Sequence, residues 1–350
     1  MKVLFAGLGS VGQRHLRNLL RQTDGRAEIL AFRSTRAAPL LETNDEVVKD
    51  VDVAAHYGIE TFNDLDEALR RSPDIAFITN PNSYHIPVAT AAAKAGCDLF
   101  IEKPLSHNMQ GACELLEIVR KRELVVGLGY QYRFHPGVVR AKQWLDEGRI
   151  GAVVSASFVN GEYIPAWHPW EDYRESYGAR SDLGGGAISS QIHEYDLAYW
   201  MFGLPASVFA VGGHLSSLDL DVEDSASALF GVPITGRIVP VDIHLDYLQA
   251  PPVRKFTIVG DRGRIIWHEQ EKSTTLHLID REEVICDRFE DFDRNSMFVE
   301  ILTDFLTAVA TRCSPMVDLA AGIQSLKMAD AAKSSMISEE KVTLSPRASV

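Results

Sequence analysis

"VLFAGLGSVGQRH", Val3 to His15, is an apolar β-rich run that passes through three glycines and then turns amphipathic. Gly7, Gly9 and Gly12 fit the spacing GxGxxG. The spacing gains its meaning from its place, directly after a strand pattern and at the opening of a helix pattern. Gly7 permits the tight turn, Gly9 lets backbone approach a pyrophosphate, and Gly12 lets helix and strand pack closely. Ser10, Val11 and Gly12 then supply the free N–H groups and positive potential of a helix N-terminus, which suit phosphate. The stretch is expected to be the phosphate-binding turn of a dinucleotide site.

Outward from it, short apolar runs alternate with helical patterns. "EILAFR", "DIAFITN", "DLFIEKP" and "LVVGLGYQ" read as strands. "GQRHLRNLLRQ", "PVATAAAKAG" and "NMQGACELLEIVRKR" read as helices, and Asp64 is a plausible N-cap for another in "NDLDEALRRS". This alternation predicts a parallel, doubly wound α/β sheet. After about Gly137 the pattern changes. A helix in "GVVRAKQWLDEG" precedes strand-like runs, "GAVVSASFVNGEY", "ASVFAVGG", "DSASALFGV", "GRIVPVDIHLDYL", "VRKFTIVG" and "GRIIWHE". A helix is expected through "GGGAISSQIHEYDLAYWMFG", and Asp261-Arg262-Gly263 reads as a hairpin turn. Strands in succession predict an α+β part with an open, mostly antiparallel sheet. The expected division is a Rossmann domain over residues 1–127 and an α+β domain over 128–350, the C-terminal helix being free to pack back on the first.

The totals exclude several classes. A chain of 350 residues with a 46% hydrophobic share can build two large cores and is not disordered. A formal charge of -13 argues against nucleic acid or anionic lipid as partner. Cys97, Cys113, Cys286 and Cys313 are scattered, without CxxC or a histidine cluster, so no metal site or disulfide framework is expected. The start shows no signal-peptide pattern and no run is long enough to cross a bilayer, so a cytoplasmic protein is expected.

The second strand of a dinucleotide fold should end on the residue that reads the adenosine ribose. Here "AFRSTRAA" supplies Arg33, Ser34 and Arg36 and no acid. Guanidinium and hydroxyl groups suit a 2′-phosphate, so NADP(H) is favoured over NAD(H). The alternative is a solvated loop, and dual specificity stays open.

Ligands of such a sheet lie outside the carboxyl ends of its strands. "ITNPNSYH" and "FIEKP" are two such ends, so Asn80, Pro81, His85, Glu102 and Lys103 are expected near the nicotinamide half of the cofactor. Pro104 forces its predecessor away from the helical region and stiffens the corner. Glu102 is expected to hold or balance Lys103.

The N-terminal "GLGSVG", "TNPNSYH", "EKPL", "GYQYRFHP" (Gly129 to Pro136) and "GGG" with "HEYD" (His193 to Asp196), in that order, resemble the Gfo/Idh/MocA oxidoreductase family over nearly the whole length. The resemblance implies hydride transfer between NAD(P) and a carbinol or keto carbon of a sugar, sugar acid, cyclitol or nucleotide-sugar. It implies Lys103 and His193 as the catalytic pair, and a homodimer or homotetramer built through the open sheet. It leaves open a non-catalytic regulator of the same fold and a cofactor-assisted glycosidase. Many relatives carry an Asp one helical turn before the histidine, where this chain has Ser189 and Ser190. In "YIPAWHPWEDYRESYGARSDLGGG", Trp170, Tyr173 and Tyr177 offer flat faces to a sugar ring, and arginines hint at an acidic one. Arg133 and His193 complete the expected substrate contacts, and His135 is placed near them.

Overall fold

In the computed structural model, residues 1–33, 39–42, 46–279 and 283–344 are described. The chain divides into two compact units. Unit 1 comprises Met1–Tyr130 with Asn295–Ile323, and unit 2 comprises Gln131–Arg294 with Gln324–Val350.

Unit 1 opens with β1 (Lys2–Ala6), α1 (Ser10–Gln22) and β2 (Glu28–Phe32). A small hairpin, β3 (Pro39–Leu41) and β4 (Val47–Asp52), precedes α2 (Val53–Tyr57), β5 (Glu60–Phe62) and α3 (Leu65–Leu69). Then come β6 (Ile75–Ile78), α4 (His85–Ala95), β7 (Asp98–Ile101), α5 (Ala112–Lys121) and β8 (Val126–Leu128). Six of these strands form one sheet in the order β5-β2-β1-β6-β7-β8, with every pairing parallel. β1, β6 and β7 are entirely or almost entirely buried runs, as strands covered on both faces must be. Phe5, Phe77 and Phe100 stack in series through the core, and Phe305 meets Phe100 edge-on. Asp64 caps α3 by accepting from the Glu67 N–H.

Unit 2 contains α6 (Pro136–Asp146), β9 (Val153–Gly161), α7 (Ala187–Ser190) and α8 (His193–Phe202). Its remaining strands are β10 (Ser207–Gly213), β11 (Ser225–Ile234), β12 (Arg237–Asp246), β13 (Val253–Gly260), β14 (Gly263–His268), β15 (Ser273–Leu278) and β16 (Glu283–Arg288). The chain continues with α9 (Asn295–Thr311), α10 (Leu319–Ser338) and β17 (Val342–Thr343). The sheet has nine strands in the order β16-β15-β14-β13-β9-β12-β11-β10-β17. All its pairs are antiparallel except β12 with β9, because β9 is set between later strands. Burial alternates along β11, β12 and β13, which marks one covered and one open face.

Two readings change. The single helix expected from Gly184 to Gly203 is broken, since α7 ends at Ser190 and α8 begins at His193. Paired serines favour bonds of their own over helix continuation. The hairpin β3–β4, the edge strands β5 and β16, and β15 next to β16 lie in stretches too short or too polar to carry a periodic signal.

Candidate active site

The glycine turn is built by contacts that leave no choice of residue. Gly7 has φ +100°, and a Cβ there would lie 2.9 Å from both the Asn80 nitrogen and the Thr79 oxygen. A Cβ on Gly12 would lie 2.7 Å from the Gly7 oxygen. Thr79 Oγ1 donates to that same oxygen at 2.7 Å, tying the end of β6 to the turn. Gly9 differs. A Cβ on it would meet nothing within 4 Å, so packing within the protein does not demand glycine there. The space above Gly9 is instead what a closely approaching pyrophosphate needs. α1 begins at Ser10 behind Gly9 as N-cap, with no side-chain cap, which leaves its first N–H groups for a ligand.

The strand order puts β1, β6 and β7 side by side. The turns after them carry Gly7–Gly12, Asn80–Pro81 and Glu102–Lys103, so these sit along one carboxyl edge. Lys103 follows β7 by two residues and is half-buried. Two strand spacings, about 10 Å, separate its strand from the one feeding the glycine turn. Asn80 Oδ1 is buried there and has no hydrogen-bond partner among the described residues. A buried acceptor left open fits a donor on a bound ligand. These features together fit a dinucleotide.

Glu102 holds the turn rather than solvent. Its Oε1 lies 2.6 Å from His15 Nε2, and its Oε2 accepts from the Lys103 N–H at 3.1 Å. A Cβ on Gly129 would lie 2.8 Å from this carboxylate, so glycine there makes its room. Sequence reasoning passed over His15. The signal was present, because it falls with Gly12, Leu16 and Leu19 on the buried stripe of α1.

His85, expected near the cofactor, is buried as the first residue of α4. Its Nδ1 lies 2.7 Å from the Pro104 oxygen and its Nε2 2.7 Å from the Asn80 oxygen. It therefore acts on backbone.

Arg33 directly follows β2, but its guanidinium is committed to an acid. Its Nη1 and Nη2 donate to the two Asp52 oxygens at 2.7 and 3.1 Å. Arg33 holds the Asp52 carboxyl below the usual carboxylate range. Asp52 also caps α2 through the Ala54 and Ala55 N–H groups. The acid missing from the end of β2 is thus supplied from the end of β4. Ser34 and Arg36 lie outside the described residues.

In unit 2, His193 opens α8 and is almost fully buried, its ring edge-on to Tyr132 at 4.9 Å. Behind that ring, the Arg254 guanidinium carbon lies 3.5 Å from the Tyr132 centroid, and the Tyr132 hydroxyl donates to Glu269 at 2.7 Å. Arg254 Nε donates to Glu194 at 2.7 Å. Burial pushes the Glu194 carboxyl up, and the Arg254 charge pulls it down.

Ser189 and Ser190 have partners of their own. Ser189 Oγ accepts from Lys333 Nζ at 2.6 Å. Ser190 Oγ accepts from the Tyr247 hydroxyl at 2.8 Å. Glu223 is half-buried beside them and accepts from the Ile188 N–H. Burial raises its pKa and the Lys333 charge lowers it. Charge at this helix start therefore comes from β11's approach and α10, neither of which is near in sequence.

Arg133, expected to touch substrate, is 4% exposed and donates through Nε and Nη2 to Asp196 at 2.8 and 2.6 Å. Ser325 completes the pair by donating to Asp196 at 2.9 Å. Arg133 therefore braces α8 internally. His135 is also internal, capping α6 by accepting from the Gly137 N–H through Nδ1 at 3.0 Å. Trp170 and Tyr177 are half-buried on the loop, and Trp170 stacks on His168. Tyr173 accepts from the Asp219 N–H at 3.0 Å. The arginines that hinted at an acidic substrate are paired within the loop, Arg174 with Asp172 and Arg180 with Asp182.

A parallel sheet with a glycine turn at its strand-order switch, joined to a unit with an open mixed sheet, defines a Rossmann-type dinucleotide-binding protein of two units. Residues 1–130 match the model for the oxidoreductase family with NAD-binding Rossmann fold, GFO_IDH_MocA, and residues 138–266 match the GFO/IDH/MocA C-terminal domain. The chain belongs to the Gfo/Idh/MocA family. It is 25% identical to myo-inositol 2-dehydrogenase of Thermotoga maritima, over 98% of each chain. It is 28% identical to scyllo-inositol 2-dehydrogenase (NAD(+)) of Bacillus subtilis, over 59% of this chain and 55% of that one. The matched part is 44% of a levoglucosan dehydrogenase from Pseudarthrobacter phenanthrenivorans, so the match spans about half the length of these last two relatives. A solved levoglucosan dehydrogenase in complex with NADH has the same fold, with a TM-score of 0.82 at 19% identity over 98% of each chain. Among the described residues, no helix is long and apolar enough to cross a membrane.

Proposed function

We propose that this protein is an NAD(P)-dependent oxidoreductase that transfers a hydride between the nicotinamide and a carbinol or keto carbon of a sugar or cyclitol. The observation that carries the reading is the side-by-side placement of the glycine turn, Asn80 and Lys103 on the ends of β1, β6 and β7. Support comes from relatives whose names specify inositol, D-xylose and levoglucosan as what they act on. A bound nicotinamide supplies the hydride acceptor or donor. The chain's own residues then bind, orient and move the proton. Lys103 takes the hydroxyl proton during oxidation and returns it during reduction. Ser10, Val11 and Gly12 hold phosphate, and Asn80 Oδ1 accepts from the ligand. His193 hydrogen-bonds the substrate hydroxyl, and Trp170, Tyr173 and Tyr177 offer it their ring faces.

Relatives include one named for NAD(+) and one named for NADP(+). The preference for NADP(H) rests on Arg33, and the Asp52 carboxylate beside it is equally suited to ribose hydroxyls. Both groups enter the same adenosine-end reading, so the choice between cofactors is set by which of the pair faces the ribose. Self-association through the open sheet belongs to the same proposal. Phe209, Val211, Leu229 and Ile238 are 44%, 57%, 52% and 65% exposed on that one face. The four cysteines are not joined in disulfides and three of them are exposed, which suits a reducing cytoplasm.

The test incubates the full chain with NAD+ or NADP+ and myo-inositol, scyllo-inositol, D-xylose or levoglucosan, following reduced cofactor by absorbance. Reduction with at least one sugar or cyclitol is expected. Lys103→Met should lower kcat by about a hundredfold or more while NADH binding stays within about threefold. Retained turnover in Lys103→Met overturns the assignment of the proton to Lys103.

A further inference from the structure

The turn that carries Lys103 is held from both sides by buried histidines on unrelated helices. On the residue before it, His15 meets the Glu102 carboxylate at 2.6 Å, and the other oxygen of that carboxylate receives the Lys103 N–H. On the residue after it, His85 meets the Pro104 carbonyl at 2.7 Å. Pro104 has no N–H, so that side of the turn cannot be fastened by a backbone donor. Its carbonyl is the group left to grip, and His85 grips it. The second nitrogen of the same ring meets the Asn80 carbonyl at 2.7 Å, so one imidazole joins the turn after β7 to the turn after β6.

We propose that His85 is a positioning residue, which clamps the Asn80 and Pro104 carbonyls and thereby sets where the Lys103 ammonium stands. The inference rests on the reading of Lys103 as the proton-handling group. Both partners of the ring are acceptors. A neutral imidazole donates to one of them, and only a protonated one donates to both. The charged groups facing the ring are Glu102, which favours the proton, and Lys103, which opposes it. Burial pushes His85 below the ordinary histidine range. A ring that burial keeps neutral donates to one of the two carbonyls at a time, so it acts on Lys103 through where the turn holds the ammonium relative to Glu102, and the proton affinity of Lys103 reads that position.

The experiment uses the full chain and competitive acetylation by acetic anhydride over roughly pH 6 to 10, with labelling of each lysine read by mass spectrometry. Exposed Lys94 serves as the internal control. His85→Leu should move the midpoint of Lys103 labelling by about half a pH unit or more, a roughly threefold change in proton affinity, with Lys94 unmoved. His85→Gln keeps one donor, and should move Lys103 less. If His85→Leu does not fold, His85→Gln decides alone. Unchanged Lys103 labelling in a folded variant overturns the clamp. The outcome is separable from the functional reading. Unmoved labelling together with dead Lys103→Met would sink the clamp and keep the reading. Moved labelling together with an active Lys103→Met would keep the clamp and sink the reading.

Discussion

Arg33 and Asp52, 19 residues apart, form a two-pronged ion pair with contacts of 2.7 and 3.1 Å at the end of β2. The pair joins a cation suited to a 2′-phosphate with a carboxylate suited to ribose hydroxyls. Each member restrains the other. Removing the carboxylate should free the guanidinium, and removing the guanidinium should leave the carboxylate.

Asp52→Asn is therefore expected to shift the ratio of NAD(H) to NADP(H) dissociation constants toward NADP(H), and Arg33→Ala to shift it the other way, each by about tenfold. Titration by reduced-cofactor fluorescence measures both. Ratios that stay at the wild-type value in both variants would remove the pair from the cofactor site.

Gly9 and Gly12 should separate binding from folding. Gly12→Ala drives a Cβ to 2.7 Å from the Gly7 oxygen, and should destabilise unit 1 by about 1–3 kcal/mol. Gly9→Ala puts its Cβ in open space in the protein, so the melting temperature should hold while NADH affinity falls by about tenfold or more. Equal loss of stability in both variants would contradict the assignment of Gly9 to ligand approach.

His135 sets a pH dependence in unit 2. Burial, with help from Arg254, pushes its pKa from 6.5 to about 4. The folded state thus resists a proton that the unfolded chain accepts. Its contribution is full above about pH 6.5 and is lost as the pH falls toward 4, on the order of 3 kcal/mol in all. The Nδ1 lone pair that caps α6 would be consumed by protonation. Urea titrations at several pH values should show this slope flattened in His135→Asn, which offers a cap without the titration. An undiminished slope would place its origin elsewhere.

Arg133 and Asp196 test bracing against substrate contact. Both are buried, so Arg133→Leu leaves a carboxylate with only Ser325 beside it and should cost about 3–5 kcal/mol. Arg133→Leu with Asp196→Leu should recover part of that loss. A single variant of wild-type stability with a raised substrate KM would return Arg133 to the substrate face.

The legible parts of this chain were those whose meaning is local. GxGxxG before a helix, the apolar strands β1, β6 and β7, and Asp64 as a cap each depend on neighbours within a few residues. The break between α7 and α8 was not visible, since helix periodicity runs through both. It matters because Ser189 and Ser190 do not then share a regular helical face with His193. His15 and His85 stood in the quoted motifs, yet Glu102 lies 87 residues from His15 and Pro104 19 residues from His85. The aromatic and arginine-rich loop misled in one respect, because Arg174 and Arg180 spend their charge on aspartates two residues away.

By itself the sequence determined the alternation of the main strands and helices of the first unit, the conformation of the glycine turn, and the placement of Lys103 just past an apolar strand. Backbone sterics and hydrophobic periodicity act over short spans, so they are written in order along the chain. Only the tertiary structure decided which charge meets which. Arg33 finds Asp52, Arg133 finds Asp196, Lys333 finds Ser189, and His85 joins Asn80 to Pro104. A buried polar group takes the partner that the fold brings within about 3 Å, and that distance depends on how strands are ordered in a sheet rather than on how they follow one another.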